Sequence, residues 1–344
     1  MTLRKRIILI LCGVAVFVVA APTIILLARG YFFDFKEFRL IGTGILTVKS
    51  SPKGAEIFLD GKKTKATPAV LRLLLPKEYR LELIKTGYRD WHKNVTVHGH
   101  LVTSIPSDPE KEVALLQKSS VQTNISTTTS DFQETPQGIF FAEEGGIFQL
   151  DVLSGKKTWA ATTTLSQILK NIPANAPGNF RLSENAFWQN DRILVPNLPS
   201  FKKGEIIATP DNQIFLLLDS DLYQVAEKLA KINGGVAYVF WDSEADVLIY
   251  GNGHEIWMFQ PSGKNELVTR SSKTLGRPAY HEKINYIFAS EGREIKAIEA
   301  DSSGQPNIYS LIETANDNIK IAINPDGTHL LYLDGENLYT LKIR

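Results

Sequence analysis

Only a few local groupings in this 344-residue chain have the residue types and spacing of a reactive or ligand-holding site. His98-Gly99-His100 places two imidazoles close enough to share a metal ion, and Asp219-Ser220-Asp221 offers paired oxygens like those of calcium loops. His281-Glu282 is half of a zinc-helix pattern, and Gly251-Asn252-Gly253 has the glycines of a dinucleotide-binding turn. Each falls short in its surroundings. The histidine pair has no further ligand evident beside it, and its central glycine suits a surface loop. Asp219 to Asp221 falls at an expected hairpin tip, where such side chains cap backbone amides without metal. No second histidine follows Glu282, and no helix opens after Gly253. The chain also lacks a Gly-x-Ser-x-Gly elbow, a Gly-Lys-Ser/Thr phosphate loop, His-Glu-x-x-His and any cysteine pair. The sequence therefore assigns no catalytic residue, no cofactor and no metal ligand. Trp91, Trp159, Trp188, Trp241 and Trp257 could line a sugar-binding surface, but rings packed between neighbouring sheets are the plainer reading.

Composition names no ligand either. With 43% hydrophobic and 22% charged residues and a net charge of +1, the chain is globular and has no basic field for nucleic acid. Its start is different: Arg4, Lys5 and Arg6 precede an uncharged run from Ile7 to Ala28. At about 1.5 Å per residue, a helix of that run crosses the roughly 30 Å hydrocarbon layer. Small residues at Ala20 and Ala21 resemble a signal-peptide cleavage site. Pro22 stands where the cut would fall, however, and the run continues through Leu27, so the expectation is an uncleaved anchor. The basic cluster outweighs Arg29 and Lys36, which leaves residues 1–6 in the cytoplasm and everything after Arg29 outside the plasma membrane. Cys12, the sole cysteine, lies within the run, so the exported part has no disulfide. Residues 29–43 are a juxtamembrane segment, in which Tyr31, Phe32, Phe33, Phe35 and Phe38 read equally as an interfacial aromatic belt or as a buried strand.

From residue 44 to 117 short strands alternate with turn chemistry. Ile45 to Lys49 reads as a strand and Ser51-Pro52-Lys53-Gly54 as a reversal; Ala55, Ile57 and Leu59 then alternate with polar residues up to the hairpin signal Asp60-Gly61. Further strands are expected at Ala69 to Leu75, Tyr79 to Lys85 and Asn94 to Val97, with Val113 to Leu116 closing a small all-β sandwich. The segment resembles a PEGA domain, a small β module of bacterial and archaeal surface proteins. Its naming motif stands as Pro52-Lys53-Gly54-Ala55, with lysine in place of glutamate. Gly44-Ile45-Leu46, Leu59-Asp60-Gly61, Thr67-Pro68, Tyr79, Gly87-Tyr88 and Trp91 carry the rest of the resemblance. These are structural residues, and the lysines around them read as a solvated rim that blocks edge-to-edge aggregation, or as a contact for anionic polymer.

Residues 118–344 repeat themselves. A turn, a hydrophobic strand, a polar tip and a second strand recur about every 30 to 45 residues, from Thr135, Thr209, Trp241, Tyr280 and Ile321, with a degenerate copy near Phe180. That is the pattern of a β-propeller, here of about five or six blades. Asn324-Pro325-Asp326-Gly327 resembles the turn of TolB-type and WD-repeat-like propellers. The last copy runs out at Arg344 after two or three strands, so a segment within Val113 to Ser130 is expected to complete it. The whole reads as all-β after one membrane helix: an envelope protein that binds or scaffolds, with cell-wall polymer or another envelope protein as partner. The alternative is a hydrolase or lactonase whose carboxylates converge in the propeller funnel, an arrangement that needs no local spacing.

Overall fold

The computed structural model describes residues 3–34, 38–108, 110–135, 138–161, 165, 179–226, 228–300, 305–317 and 319–344. Phe35 and Lys36, on which two expectations touched, lie outside them. The chain divides into two compact units, Met1–Lys118 and Ser119–Arg344.

The first unit opens with a helix, Leu3–Ala28. Its stretch Ile10–Ala28 has a mean hydropathy of 2.8 and leaves its apolar side chains uncovered, long and apolar enough to cross a membrane. Thr23 satisfies its hydroxyl within the helix by donating to Val19 O at 2.7 Å, as a polar group in an apolar setting must. After the helix, Tyr31–Asp34 and Arg39–Gly42 pair antiparallel. Tyr31, Phe32 and Phe33 thus lie on a strand and Phe38 in the turn before the next, but Phe32 is 43% and Phe38 80% exposed.

The sandwich that follows has two main sheets. Gly44–Val48 lies between Val102–Ile105, parallel to it, and Ala69–Leu74, antiparallel to it. The second sheet runs in the order Lys62–Ala66, Glu56–Leu59, Glu78–Ile84, Trp91–Thr96. Side chains alternate in and out along these strands, so Leu46, Val48 and Leu71 from one sheet meet Ile57, Leu81, Leu83, Trp91 and Val95 from the other in a common core. Asp60 and Gly61 both take positive φ (50° and 75°), the two-residue hairpin geometry that suits strand twist. Two strands were not foreseen. Lys62–Ala66 is exposed along its length and shows no apolar alternation, and Val102–Ile105 is short and half polar. The first of these puts Lys62, Lys63 and Lys65 on a sheet edge, where charge opposes further strand pairing.

In the second unit the described strands form six antiparallel sheets in succession, each a simple up-and-down meander. These six blades run 131–161, 180–196, 204–233, 238–270, 279–313 and 320–342. Blade 2 has three strands and the others four, and the fourth strand of blade 6 is Gln122–Ser126, paired antiparallel with Asn337–Lys342. The architecture is a β-propeller whose last sheet is completed by its first strand. Second strands such as Ile214–Leu218, Val247–Gly251 and Tyr286–Ser290 are buried at every residue, because both faces of a blade are covered by neighbours. Phe187 and Val195 of blade 2 pack with Leu216 and Leu218 of blade 3; Phe215 and Leu222 with Leu248 and Tyr250 of blade 4; Ile249 and Ile256 with Ile287 and Ala289 of blade 5. Between blades 6 and 1, Leu331 and Leu338 share a core with Phe132 and Phe141, and Lys320 Nζ meets Asp131 Oδ1 at 2.7 Å.

Phe141 is wholly buried in that last seam, whereas Trp159 on the outermost strand of the same blade is 57% exposed. Phe141→Ala is expected to cost about 3–5 kcal/mol, and Trp159→Ala less than about 1. Denaturant midpoints of the detergent-solubilised chain check both.

Candidate functional site

The sequence motif around Pro52 closes on itself through hydroxyl groups. Gly54 takes φ +82°, a conformation costly for any residue with a Cβ, and the turn that results aims its N–H at Thr67 O, 2.8 Å away. Thr67 N–H donates back to Ala55 O at 2.9 Å, and Ala55 N–H donates to Thr67 Oγ1 at 3.0 Å. Ser50 Oγ donates its proton to Pro52 O at 2.9 Å and lies 2.6 Å from Thr67 Oγ1. A hydroxyl has one proton, so Thr67 must be the donor in that last contact. The result is a continuous relay from Ala55 N–H through Thr67 and Ser50 to Pro52 O, with both hydroxyl-bearing residues buried. Pro52, Gly54, Ala55, Thr67 and Pro68 are therefore brought together as one corner, with Lys53 exposed on its rim and its carbonyl accepting from Lys85 Nζ at 2.9 Å.

Asp60 and Gly61 form a separate corner. The Asp60 carboxylate accepts from Lys77 Nζ at 2.5 Å and from the Arg80 N–H at 3.0 Å, which hold it below the usual carboxylate range. Gly87 and Tyr88 make a third: Lys118 N–H donates to Gly87 O at 2.9 Å, Arg89 N–H to Leu116 O at 2.7 Å, and Tyr88 bridges Gln117. The segment from Val113 on thus packs into the sandwich, with Val113 and Leu115 in its core.

His98-Gly99-His100 is a clasp. A Cβ on Gly44 would lie 2.3 Å from His98 O, and one on Gly42 would lie 2.0 Å from His100 Nε2, so both glycines are needed for close approach. His100 N–H donates to Thr43 O at 2.9 Å, and its ring stands edge-on to Tyr31 at 4.9 Å. The His100 imidazole and the His98 carbonyl are thus packed beside the strands that follow the apolar helix. On the outer surface of the three-stranded sheet, between Pro68 and Pro106, lies a cleft of about 370 Å³. Thr47, Lys49, Val70, Ser104 and Asp108 line it, and Thr47 Oγ1 donates to Ser104 Oγ at 2.9 Å. It offers one cation, one carboxylate and two hydroxyls around an apolar floor, which suits a polar small group or an extended polymer segment.

In the propeller the polar residues at the first turn of blades 3, 4 and 6 share one task. Thr209 Oγ1 accepts the Gln213 N–H at 2.9 Å; Asp242 Oδ1 accepts those of Glu244 and Ala245 at 3.1 and 2.9 Å; Asn324 Oδ1 accepts those of Thr328 and His329 at 2.9 and 2.7 Å. Asn212, Asp246, Asn285 and Gly327 then take positive φ, which short polar residues and glycine tolerate best. Asn324-Pro325-Asp326-Gly327 is thus one of several equivalent turns. The others escaped sequence reading because the capping residue changes from Thr to Asp to Asn while its role stays fixed. Pro325 O accepts from His281 Nε2–H at 2.9 Å, which joins blades 5 and 6 and gives His281 a structural role. Asp219 Oδ1 caps the N–H groups of Lys202 and Lys203 at 3.0 and 2.9 Å, and Asp221 pairs with Lys231 at 2.6 Å. Gly251-Asn252-Gly253 is a hairpin turn closed by Asn252 N–H on Glu255 O. Among the described residues no three His, Cys, Asp or Glu side chains stand together as a metal set. Of the tryptophans, Trp91 is in the sandwich core and Trp241 stacks on Phe215 across blades 3 and 4. Trp257 lies on Tyr250 and Trp188 under Arg181, while Trp159 alone among them is largely open to solvent.

These features define a two-body β protein: a small sandwich carried behind an apolar helix, followed by a six-bladed propeller. Residues 43–108 match the PEGA domain model, so the sandwich is a PEGA domain. No curated protein matches the chain. Among solved structures it is similar to a putative gluconolactonase at 9% identity, over 66% of this chain and 93% of that one, with a TM-score of 0.37. It is also similar to a luciferin-regenerating enzyme at 11% identity, over 66% and 97%, TM-score 0.38. The C-terminal WD40 domain of Sif2 is a third, at 9% identity, over 88% and 97%, TM-score 0.37. Likenesses so distant carry no activity over.

Thr67→Val keeps the shape but breaks the relay, leaving the Ala55 N–H without this acceptor and Ser50 Oγ without its donor while Ser50 still binds Pro52 O; a loss of about 1–3 kcal/mol is expected, with Thr67→Ser much milder. Denaturant midpoints read this too. A second expectation concerns acid. Hydrogen bonds from Thr209 to Asp211, and from Lys203 and Lys202 to Asp219, hold both carboxyls below their ordinary range, so the folded chain binds these protons less readily than the unfolded one. Their stabilisation is full above the ordinary range, near pH 4, and fades as pH falls through the lowered values. Asp219→Asn should lower stability at neutral pH, flatten the acid limb of a stability-against-pH curve below about pH 4, and differ least from the parent at the acid end.

Proposed function

We propose that the protein is a single-pass, membrane-anchored scaffold of the cell envelope, in which the PEGA domain and the propeller bind a partner outside the plasma membrane. The observation that carries this reading is the commitment of the candidate groups to the fold. His100, His281, Asp219, Asp242, Thr209 and Asn324 all hold backbone or neighbouring side chains in place. What remains for outside contact is surface: the lysine edge at Lys62–Ala66, the cleft between Pro68 and Pro106, and exposed Trp159. That mixture of cations, hydroxyls and one aromatic ring suits cell-wall polymer or an acidic envelope protein. The helix is an uncleaved anchor in this reading, with Arg4, Lys5 and Arg6 in the cytoplasm and residues after Arg29 outside.

Intact cells treated with protease should lose the chain beyond residue 29, the membrane fraction should retain it through alkaline carbonate, and its intact mass should include the apolar run. A soluble mature chain beginning near Pro22 would refute the anchor. The solubilised full chain should retain a defined wall polymer or envelope protein on affinity capture, with retention reduced when Lys62, Lys63 and Lys65 are changed to glutamate. Turnover of a lactone or ester panel with no partner retained would replace binding by catalysis in the propeller.

A further inference from the structure

The junction between helix and sandwich is built so that the two cannot turn independently. The helix ends with Arg29 N–H on Ile25 O and Gly30 N–H on Leu27 O, each at 3.0 Å, and Gly30 takes φ +77° to leave the helix axis at once. Thr43 then returns to this exit: its N–H and its Oγ1 both donate to Gly30 O at 2.7 Å. His100 N–H binds Thr43 O, and its ring closes on Tyr31 and Gly42. Three segments, the helix exit, Gly42-Thr43 and His100, therefore meet at the helix end.

Around this rigid junction the surface is apolar. Phe32 and Leu40 on the strands Tyr31–Asp34 and Arg39–Gly42 are exposed, as are Phe38, in the turn just before Arg39, and Leu101 and Val102, directly after His100. Register sets Phe32 on one face of this strand pair and Leu40 on the other, so both faces of the ribbon carry exposed large apolar side chains, which soluble surfaces seldom leave uncovered. The cover is set by chain continuity: these residues begin where a membrane-spanning helix ends, at the depth where aromatic side chains prefer the lipid headgroups. Arg29 and Arg39 flank them, and cations at that level favour lipid phosphates.

Building on the anchor reading above, we propose that Phe32, Phe38, Leu40, Leu101 and Val102 form a foot seated in the headgroup region of the bilayer that the helix crosses. Thr43 and His100 lock this foot to the PEGA domain, which is thereby held against the membrane in one orientation instead of swinging on a tether.

The test uses the full chain in C12A background, reconstituted in nanodiscs of phosphatidylethanolamine and phosphatidylglycerol. Single spin-labelled cysteines are placed by Val19→Cys, Phe38→Cys, Leu101→Cys and Lys62→Cys. Collision with oxygen, which favours lipid, is compared with collision with a water-soluble nickel chelate. Phe38→Cys and Leu101→Cys should give oxygen-to-nickel ratios several-fold above Lys62→Cys. Water-like ratios at either site, with Val19→Cys in lipid, would overturn the foot and leave the anchor standing. A water-like Val19→Cys would overturn the anchor itself. Adding His100→Ala should lower the ratio at Leu101→Cys toward that of Lys62→Cys and spare Phe38→Cys; no change at Leu101→Cys would overturn the lock. The labelled sites are exposed, so folding is not at risk, and circular dichroism of each variant verifies it.

Discussion

The ladder between Gln122–Ser126 and Asn337–Lys342 is the contact on which the second unit depends. Each blade buries its central strand only because another blade covers either face, and Val247–Gly251 is buried at all five positions for that reason. An open array would leave Phe132, Phe141, Leu331 and Leu338 facing water, together with an unpaired strand edge. No disulfide can assist, since the chain's one cysteine lies in the apolar helix. The Lys320–Asp131 ion pair at the same seam is exposed and adds little, so the burden falls on main-chain hydrogen bonds and apolar contact.

The two units solve their turns alike. In the PEGA domain a buried threonine hydroxyl joins two loops, and in the propeller Thr209, Asp242 and Asn324 each receive main-chain N–H groups that the strands cannot satisfy. Polar residues in this protein are therefore mostly architectural.

How much of this was legible depends on how local the signal was. Asp60-Gly61 announces a hairpin because two adjacent residues must take positive φ, and the structure places them so. The helix, the six-fold repetition and the missing last strand follow from run length and period. Lys62–Ala66 was not readable as a strand because partners, not its own pattern, keep it extended. The roles of His100 and His281 were equally hidden: each is defined by a contact to residues remote in sequence, Tyr31 and Gly42 for one and Pro325 for the other. The recurrence of the inner turns lay in the sequence as Thr209-Pro210-Asp211-Asn212 beside Asn324-Pro325-Asp326-Gly327, but conserved geometry with changing side chains blurs such a signal.

The register of the closing strands has a mechanical corollary. Gln122 faces Leu341 and Ser126 faces Leu338, and Lys342 N–H binds Val121 O, so the propeller's first and last residues emerge side by side. Tension between residue 121 and Arg344 would therefore peel the ladder open bond by bond, like a zipper, and would not load it in shear.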